Sequence, residues 1–216
     1  MSSVDRIYAI LMASGFSRRF GEADKLLAVF RGKPLARHTV DLVCGLDCFT
    51  RIFFVAAKDP VRALAGGGPE RLRVIRNRHP ERGRRESIRL GLEAASEDGR
   101  GPGEAYYMFF PCDQPLLDAA AVSAIVEARR PGRIVRPCCR GEPGNPVLFS
   151  AAFRDELLAL GEGEQGRDLI RRHPERLINV EIPGPAFSEA PSLSPLTDID
   201  DPRTLSLLEG TASGRP

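Results

Sequence analysis

The chain has 216 residues, 42% of them hydrophobic and 28% charged, which is enough for one domain with a substantial core. Its 31 Lys and Arg against 29 Asp and Glu leave a net charge of +2, so nothing general points to nucleic acid or a membrane surface, and an anionic ligand must be met by a local cluster. No apolar run approaches the ~18 residues of a membrane span and the N-terminus MSSVDR lacks a signal-peptide apolar stretch, so the chain is expected in the cytoplasm.

The first element is the apolar run over residues 7–12, which ends in Ala13, Ser14 and Gly15 and predicts a buried parallel strand opening into a loop where backbone can approach a ligand. Arg18, Arg19 and Lys25 follow at once, a combination suited to a polyphosphate. An ordinary strand-to-helix loop with solvated arginines is the alternative. Arg31-Gly32-Lys33 predicts a tight turn, and Pro34 starts a helix over 34–46. Cys44 and Cys48 have helical spacing, Cys138 and Cys139 are adjacent, and five cysteines without a CxxC pair give no disulfide framework.

Strands are predicted over 52–57 and 72–75, with a surface loop at 66–69 between them. A helix over 84–95, a loop over 98–103, a strand over 106–110, a helix over 119–129 and a strand over 134–135 follow. Helices over 151–160 and 165–173 complete the regular pattern. HPER occurs twice, at His79 to Arg82 and at His173 to Arg176, but the flanks differ and the repeat is read as coincidence. His38, His79 and His173 are too dispersed for a structural zinc site. Residues 1–209 are expected to form a single domain and 210–216 a flexible tail. The alternation predicts an α/β fold whose mainly parallel sheet carries helices on both faces, with ligands beyond the carboxyl ends of the strands.

Directly after the run YYMFF comes Pro111-Cys112-Asp113-Gln114-Pro115. On a central strand Asp113 emerges at the same sheet edge as Gly15, where a hard cation can bridge its carboxylate to phosphate. Capping the helix near Leu117, or holding a turn between two prolines, is the competing role.

MASGFSRRFG followed by DKLL, then PCDQPLL, GNPVLFS and DIDDP, in this order, resemble the MobA-like nucleotidyltransferases, most closely their molybdenum cofactor cytidylyltransferase branch. The resemblance spans about residues 6–205. It implies a Rossmann-like, three-layer α/β/α fold of the nucleotide-diphospho-sugar transferase type. It also implies Mg²⁺-dependent transfer of CMP from CTP to the phosphate of molybdopterin, with release of pyrophosphate and formation of molybdopterin cytosine dinucleotide. Transient contact with a xanthine dehydrogenase-type apo-hydroxylase, the user of that product, is implied as well.

By the same resemblance Ala13, Ser14 and Gly15 contact base and phosphates, while Arg18 and Lys25 neutralise the triphosphate. Asp113 and Asp200 hold Mg²⁺, with Asp198 in reserve and Asp201 capping the last helix. Asn77, Gly83, Arg84, Ser87 and Arg89 fall in a segment that lies over the nucleotide. Gln114, Gly144, Asn145 and Arg167 address the acceptor, although the stretch from Gly163 to Arg167 is one residue shorter than the family pattern. Ser14 resembles the cytidine form of the first loop more than the Gly-Gly guanosine form, because a side chain there crowds a purine. Cys112, with no histidine beside it in sequence, is expected to serve packing. Guanylyl transfer, another nucleotidyl transfer on the same fold, or a non-catalytic cofactor chaperone are the other readings; Lys25, Asp113 and Asp200 together speak against the chaperone.

Overall fold

The protein is described from a computed structural model that covers residues 5–15, 20, 24–99, 104–184 and 194–212. In chain order the strands are β1 (Arg6–Ala13), β2 (Val29–Phe30), β3 (Lys33–Pro34), β4 (Arg51–Ala56), β5 (Leu72–Arg76), β6 (Ala105–Pro111), β7 (Ile134–Cys139), β8 (Glu142–Pro143), β9 (Val147–Ser150) and β10 (Leu177–Glu181). The helices are α1 (Leu35–Cys44), α2 (Asp59–Ala63), α3 (Arg84–Glu97), α4 (Ala119–Glu127), α5 (Arg154–Leu158), α6 (Gly166–Arg172) and α7 (Pro202–Ala212).

The apolar run of β1 has no alternation because both of its faces are covered. Ile7, Ala9, Leu11 and Ala13 enter one core layer, with Val40 and Val43 of α1 and Val122 and Ile125 of α4. Tyr8 and Ile10 enter the other, with Ile88 and Leu92 of α3, Leu157 of α5 and Leu169 of α6. The result is the expected Rossmann-like three-layer α/β/α arrangement around an 8-stranded sheet of order β10-β7-β9-β6-β1-β4-β5, with β8 paired to β7. β6, β1, β4 and β5 run parallel, as do β7 and β10, whereas β9 is antiparallel to both of its neighbours.

Several elements depart from the sequence expectation. β9 was expected only as part of a motif; its four residues are all buried and too few to reveal a period. β10 is a half-exposed edge strand with polar residues among apolar ones. β7 continues past 135 because Pro137, which has no N–H to donate, pairs in register with Val180 and accepts from the Gly144 N–H instead. The helix expected over 151–160 divides into a tight turn at Ala151–Phe153 and the short α5. α7 runs to Ala212, past the expected domain end at 209.

The turn at Arg31-Gly32-Lys33 is present as the β2–β3 hairpin, whose Phe30 packs with Leu35 and Ile199 in a small separate core. All five cysteines are free, and Cys112 is buried in the main core, where burial first and the Asp113 charge second push its thiol up. Among the described residues no helix is long and apolar enough to cross a membrane.

Candidate active site

The register of β1 on β6 sets Met12 opposite Pro111, so the loops carrying Ser14 and Gly15 and carrying Cys112 and Asp113 leave the sheet at one edge. Lys25 reaches that edge from the tight turn at Lys25–Leu27. The Asp24 side chain caps this turn by accepting the Leu26 N–H, and the buried Leu26 side chain anchors it. From there the ammonium donates to Asp113 Oδ2 at 2.6 Å and to Asp200 Oδ1 at 3.1 Å. The Asp113 side chain is only 7% exposed and that of Asp200 55%, so the pair spans from the sheet edge to open solvent. Burial alone pulls the Lys25 ammonium down, but the charges and hydrogen bonds of Asp113 and Asp200 outweigh it and the net shift is upward.

Asp200 comes from the far end of the chain, and two bonds bring it here. The Ile199 N–H donates to the Asp113 carbonyl at 2.9 Å, and Gln114 Nε2 donates to the Leu196 carbonyl at 2.9 Å. The Ile199 side chain is fully buried. Asp201 then accepts from the Arg203 and Thr204 N–H groups, so it caps α7, with Pro202 in the first turn as expected. The Asp113 side chain takes no helix cap; that role belongs to Asp118, which caps α4. Asp198, between these residues, is pushed up to about 6, first by burial and then by the Asp113 charge.

Two adjoining cavities open here. One, of about 380 Å³, is lined by Ser14, Gly15, Lys25, Ser87, Asp113 and Asp200 among others. The second, of about 570 Å³, is lined by Gly144, Asn145, Arg167, Asp198 and Asp200 among others. Met12, Arg84, Gln165 and Asp200 border both. Gly83 lets α3 start directly over the first cavity, because its φ of 75° is one that a side chain would resist. Gly144 is required by close packing, since a Cβ there would stand 2.7 Å from Leu196 Cβ.

Most of the expected site residues therefore meet, and some do not. Arg18 and Arg19 lie outside the described residues. Ala13 lines neither cavity; it is buried at the end of β1 opposite Ala56. Asn77 lines neither cavity; its Oδ1 accepts from the His79 N–H at 2.8 Å, which shapes the turn leading to Gly83, and its Nδ2 is buried without a partner. Gln114 lines neither cavity, because it is buried beneath the C-terminal segment it holds. The Arg89 guanidinium turns back along α3 to Glu86 and Glu93. Gln165 and Arg136 were not expected: Gln165 is the N-cap of α6 in a capping box with Asp168, a pattern readable in the sequence, whereas Arg136 reaches the second cavity only through the strand order.

The residues fit a hard divalent cation. The Lys25 ammonium already lies between two carboxylates, and Asp113 Oδ1 is buried with no hydrogen-bond partner. Among the described residues no three His, Cys, Asp or Glu side chains form a metal-sized cluster. Two carboxylates plus phosphate oxygens is the donor set that Mg²⁺ accepts.

A molybdenum cofactor guanylyltransferase from Shewanella sp. (strain W3-18-1) is 29% identical over 196 residues, 82% of this chain and 92% of the relative. A nucleotidyl transferase from Methanothermobacter superposes with a TM-score of 0.74 at 21% identity, over 97% of this chain and 99% of the other. Rv0371c from Mycobacterium tuberculosis gives a TM-score of 0.72 at 21% identity, over 95% of this chain and 98% of the other. Residues 9–177, which include most of β1, Lys25 and Asp113 and stop short of Asp198 and Asp200, match the model of the MobA-like NTP transferase domain, and the chain belongs to that family.

Proposed function

We propose that the chain is a nucleotidyltransferase acting on the molybdenum cofactor, moving CMP from CTP to the phosphate of molybdopterin. The observation that carries this reading is the pair of adjoining cavities that share Asp200, with the Lys25 ammonium bonded to Asp200 and Asp113 on the side of the first. The first takes the NTP and the second the acceptor. A phosphate oxygen of the acceptor forms a bond to the α-phosphorus of the NTP as the bond from that phosphorus to the bridging oxygen breaks, and pyrophosphate leaves with the electron pair.

Both reactants are anionic, so positioning and charge neutralisation supply most of the rate. Lys25 neutralises the triphosphate and the charge developing on pyrophosphate. Arg18 is given the same role by its position in the MASGFSRRFG motif. Ser87 and the N–H groups opening α3 favour phosphate oxygens. Asp113 and Asp200 would hold Mg²⁺, which would neutralise phosphate charge and orient the leaving group. Asn145 and Arg167 line the acceptor side.

Cytosine is favoured by Ser14, whose hydroxyl donates to the Val55 carbonyl at 3.2 Å and whose side chain takes space a glycine would leave for a purine. Guanine is the second reading, favoured by the names of the curated relatives. Pyrophosphate release from CTP, GTP, ATP and UTP, with molybdopterin and Mg²⁺, tests both. Release from CTP well above the others supports the first reading, and release mainly from GTP replaces it with the second. The product would then pass to a xanthine dehydrogenase-type apo-hydroxylase.

A further inference from the structure

We infer that Arg84 is a catalytic residue that holds the two reacting phosphates together; this rests on the nucleotidyl-transfer reading of the same crevice. Four residues border both cavities, and their chemistry separates them. Met12 is apolar. Gln165 is engaged in the capping box of α6. Asp200 is an anion bonded to Lys25. Arg84 is the cation among them; its charge draws the Asp198 carboxyl down, yet among the described residues its guanidinium makes no hydrogen bond or close ion pair, in contrast to the neighbouring Arg82 and Arg89, which both pair with Glu86.

Its placement is specific. Arg84 is the first residue of α3, one after Gly83 and three before Ser87, so its side chain starts from the helix end that lines the first cavity. It also borders the second cavity, which Arg136, Arg167 and Arg171 line as well. Arg136 is held by Asn179 and Arg171 by Asp168, and all three border only that second cavity.

For transfer, an acceptor phosphate oxygen must come within about 3–3.5 Å of the α-phosphorus, against repulsion between two anions. A planar fork with five N–H donors can bond one oxygen from each phosphate at once, which a point charge does less well. The bond that forms joins acceptor oxygen to α-phosphorus and the bond that breaks releases pyrophosphate; Arg84 remains protonated throughout and exchanges no atom.

The test compares the wild type with Arg84→Ala, Arg84→Lys and Arg85→Ala in steady-state pyrophosphate release from CTP with Mg²⁺, varying CTP and molybdopterin separately. The expected result is a kcat about 10²–10³-fold lower in Arg84→Ala, the scale for a lost donor at developing charge, with KM for CTP changed by less than about threefold. Arg84→Lys should recover part of the loss, and Arg85→Ala, which removes the same charge one residue away from a position lining neither cavity, should stay near wild type. A wild-type kcat in Arg84→Ala, or an equal loss in Arg85→Ala, overturns the inference while leaving the reaction standing. No turnover by the wild type with any NTP overturns the reaction and the inference with it.

Discussion

The Lys25 ammonium donates to the Asp113 carboxylate at 2.6 Å, closing a gap of 88 residues in sequence and joining the loop after β1 to the loop after β6. Because the Asp113 side chain is nearly buried, the contact sets charge at the sheet edge as well as geometry. Lys25→Ala removes the counter-ion of two carboxylates and, in the proposed reaction, the cation that meets the triphosphate. Its kcat/KM for the NTP is expected to fall by about one to three orders of magnitude, read from pyrophosphate release. A value within twofold of wild type would remove Lys25 from the mechanism.

Asp113→Asn keeps the size of the side chain and leaves the backbone carbonyl that accepts from Ile199 in place. The fold should therefore survive while turnover is abolished. Circular dichroism and pyrophosphate release on the same preparation separate the two effects. Near-normal activity would show that the carboxylate charge is dispensable and that Asp113 is not a metal ligand.

Gln114→Ala removes the bond to the Leu196 carbonyl without touching a cavity wall. A lost buried hydrogen bond costs about 1–3 kcal/mol, and here the cost falls on the segment that delivers Asp200. Faster proteolysis around residues 194–200 and a reduced kcat are expected together. A loss confined to acceptor KM, with protease resistance unchanged, would return Gln114 to the acceptor-binding role its motif suggested.

How much of this was legible in the sequence depends on the range of the signal. An uninterrupted apolar run before Ala13-Ser14-Gly15 and another before Pro111-Cys112-Asp113 read as strands covered on both faces, and with both as strands their shared edge was readable. The HPER repeat, which the sequence reading sets aside as coincidence, has a local meaning only the structure shows: His79 and His173 have φ and ψ of −129° and 56° and of −127° and 55°, the same turn in unrelated places. The antiparallel insertion of β9 was not readable, because four buried residues carry no period. Nor was the inward turn of Gln114, because its partner is a backbone carbonyl 82 residues away.

The base of α3 offers a pH-dependent prediction. Glu86 is buried, with Arg89 at 2.6 Å and Arg82 at 3.7 Å, and the Arg89 hydrogen bonds hold its carboxyl below the ordinary value of 4.5 although burial alone would raise it. A carboxylate with a lowered pKa in the folded state stabilises the fold above pH 4.5, and that stabilisation disappears as pH falls through the lowered value, where the native state takes up its proton. Glu86→Gln does not titrate at this position. Its melting temperature should therefore lie below wild type at pH 7 by about 3–12 °C, given ~1.5–3 kcal/mol for hydrogen bonds to a charged group, and the gap should close as pH drops below 4.5. Because the same helix turn carries Arg84 and Ser87, the variant should also lose activity at pH 7 in proportion to the disorder it introduces there. A pH-independent gap in melting temperature would mean that Glu86 contributes shape to the first turn of α3 and not charge.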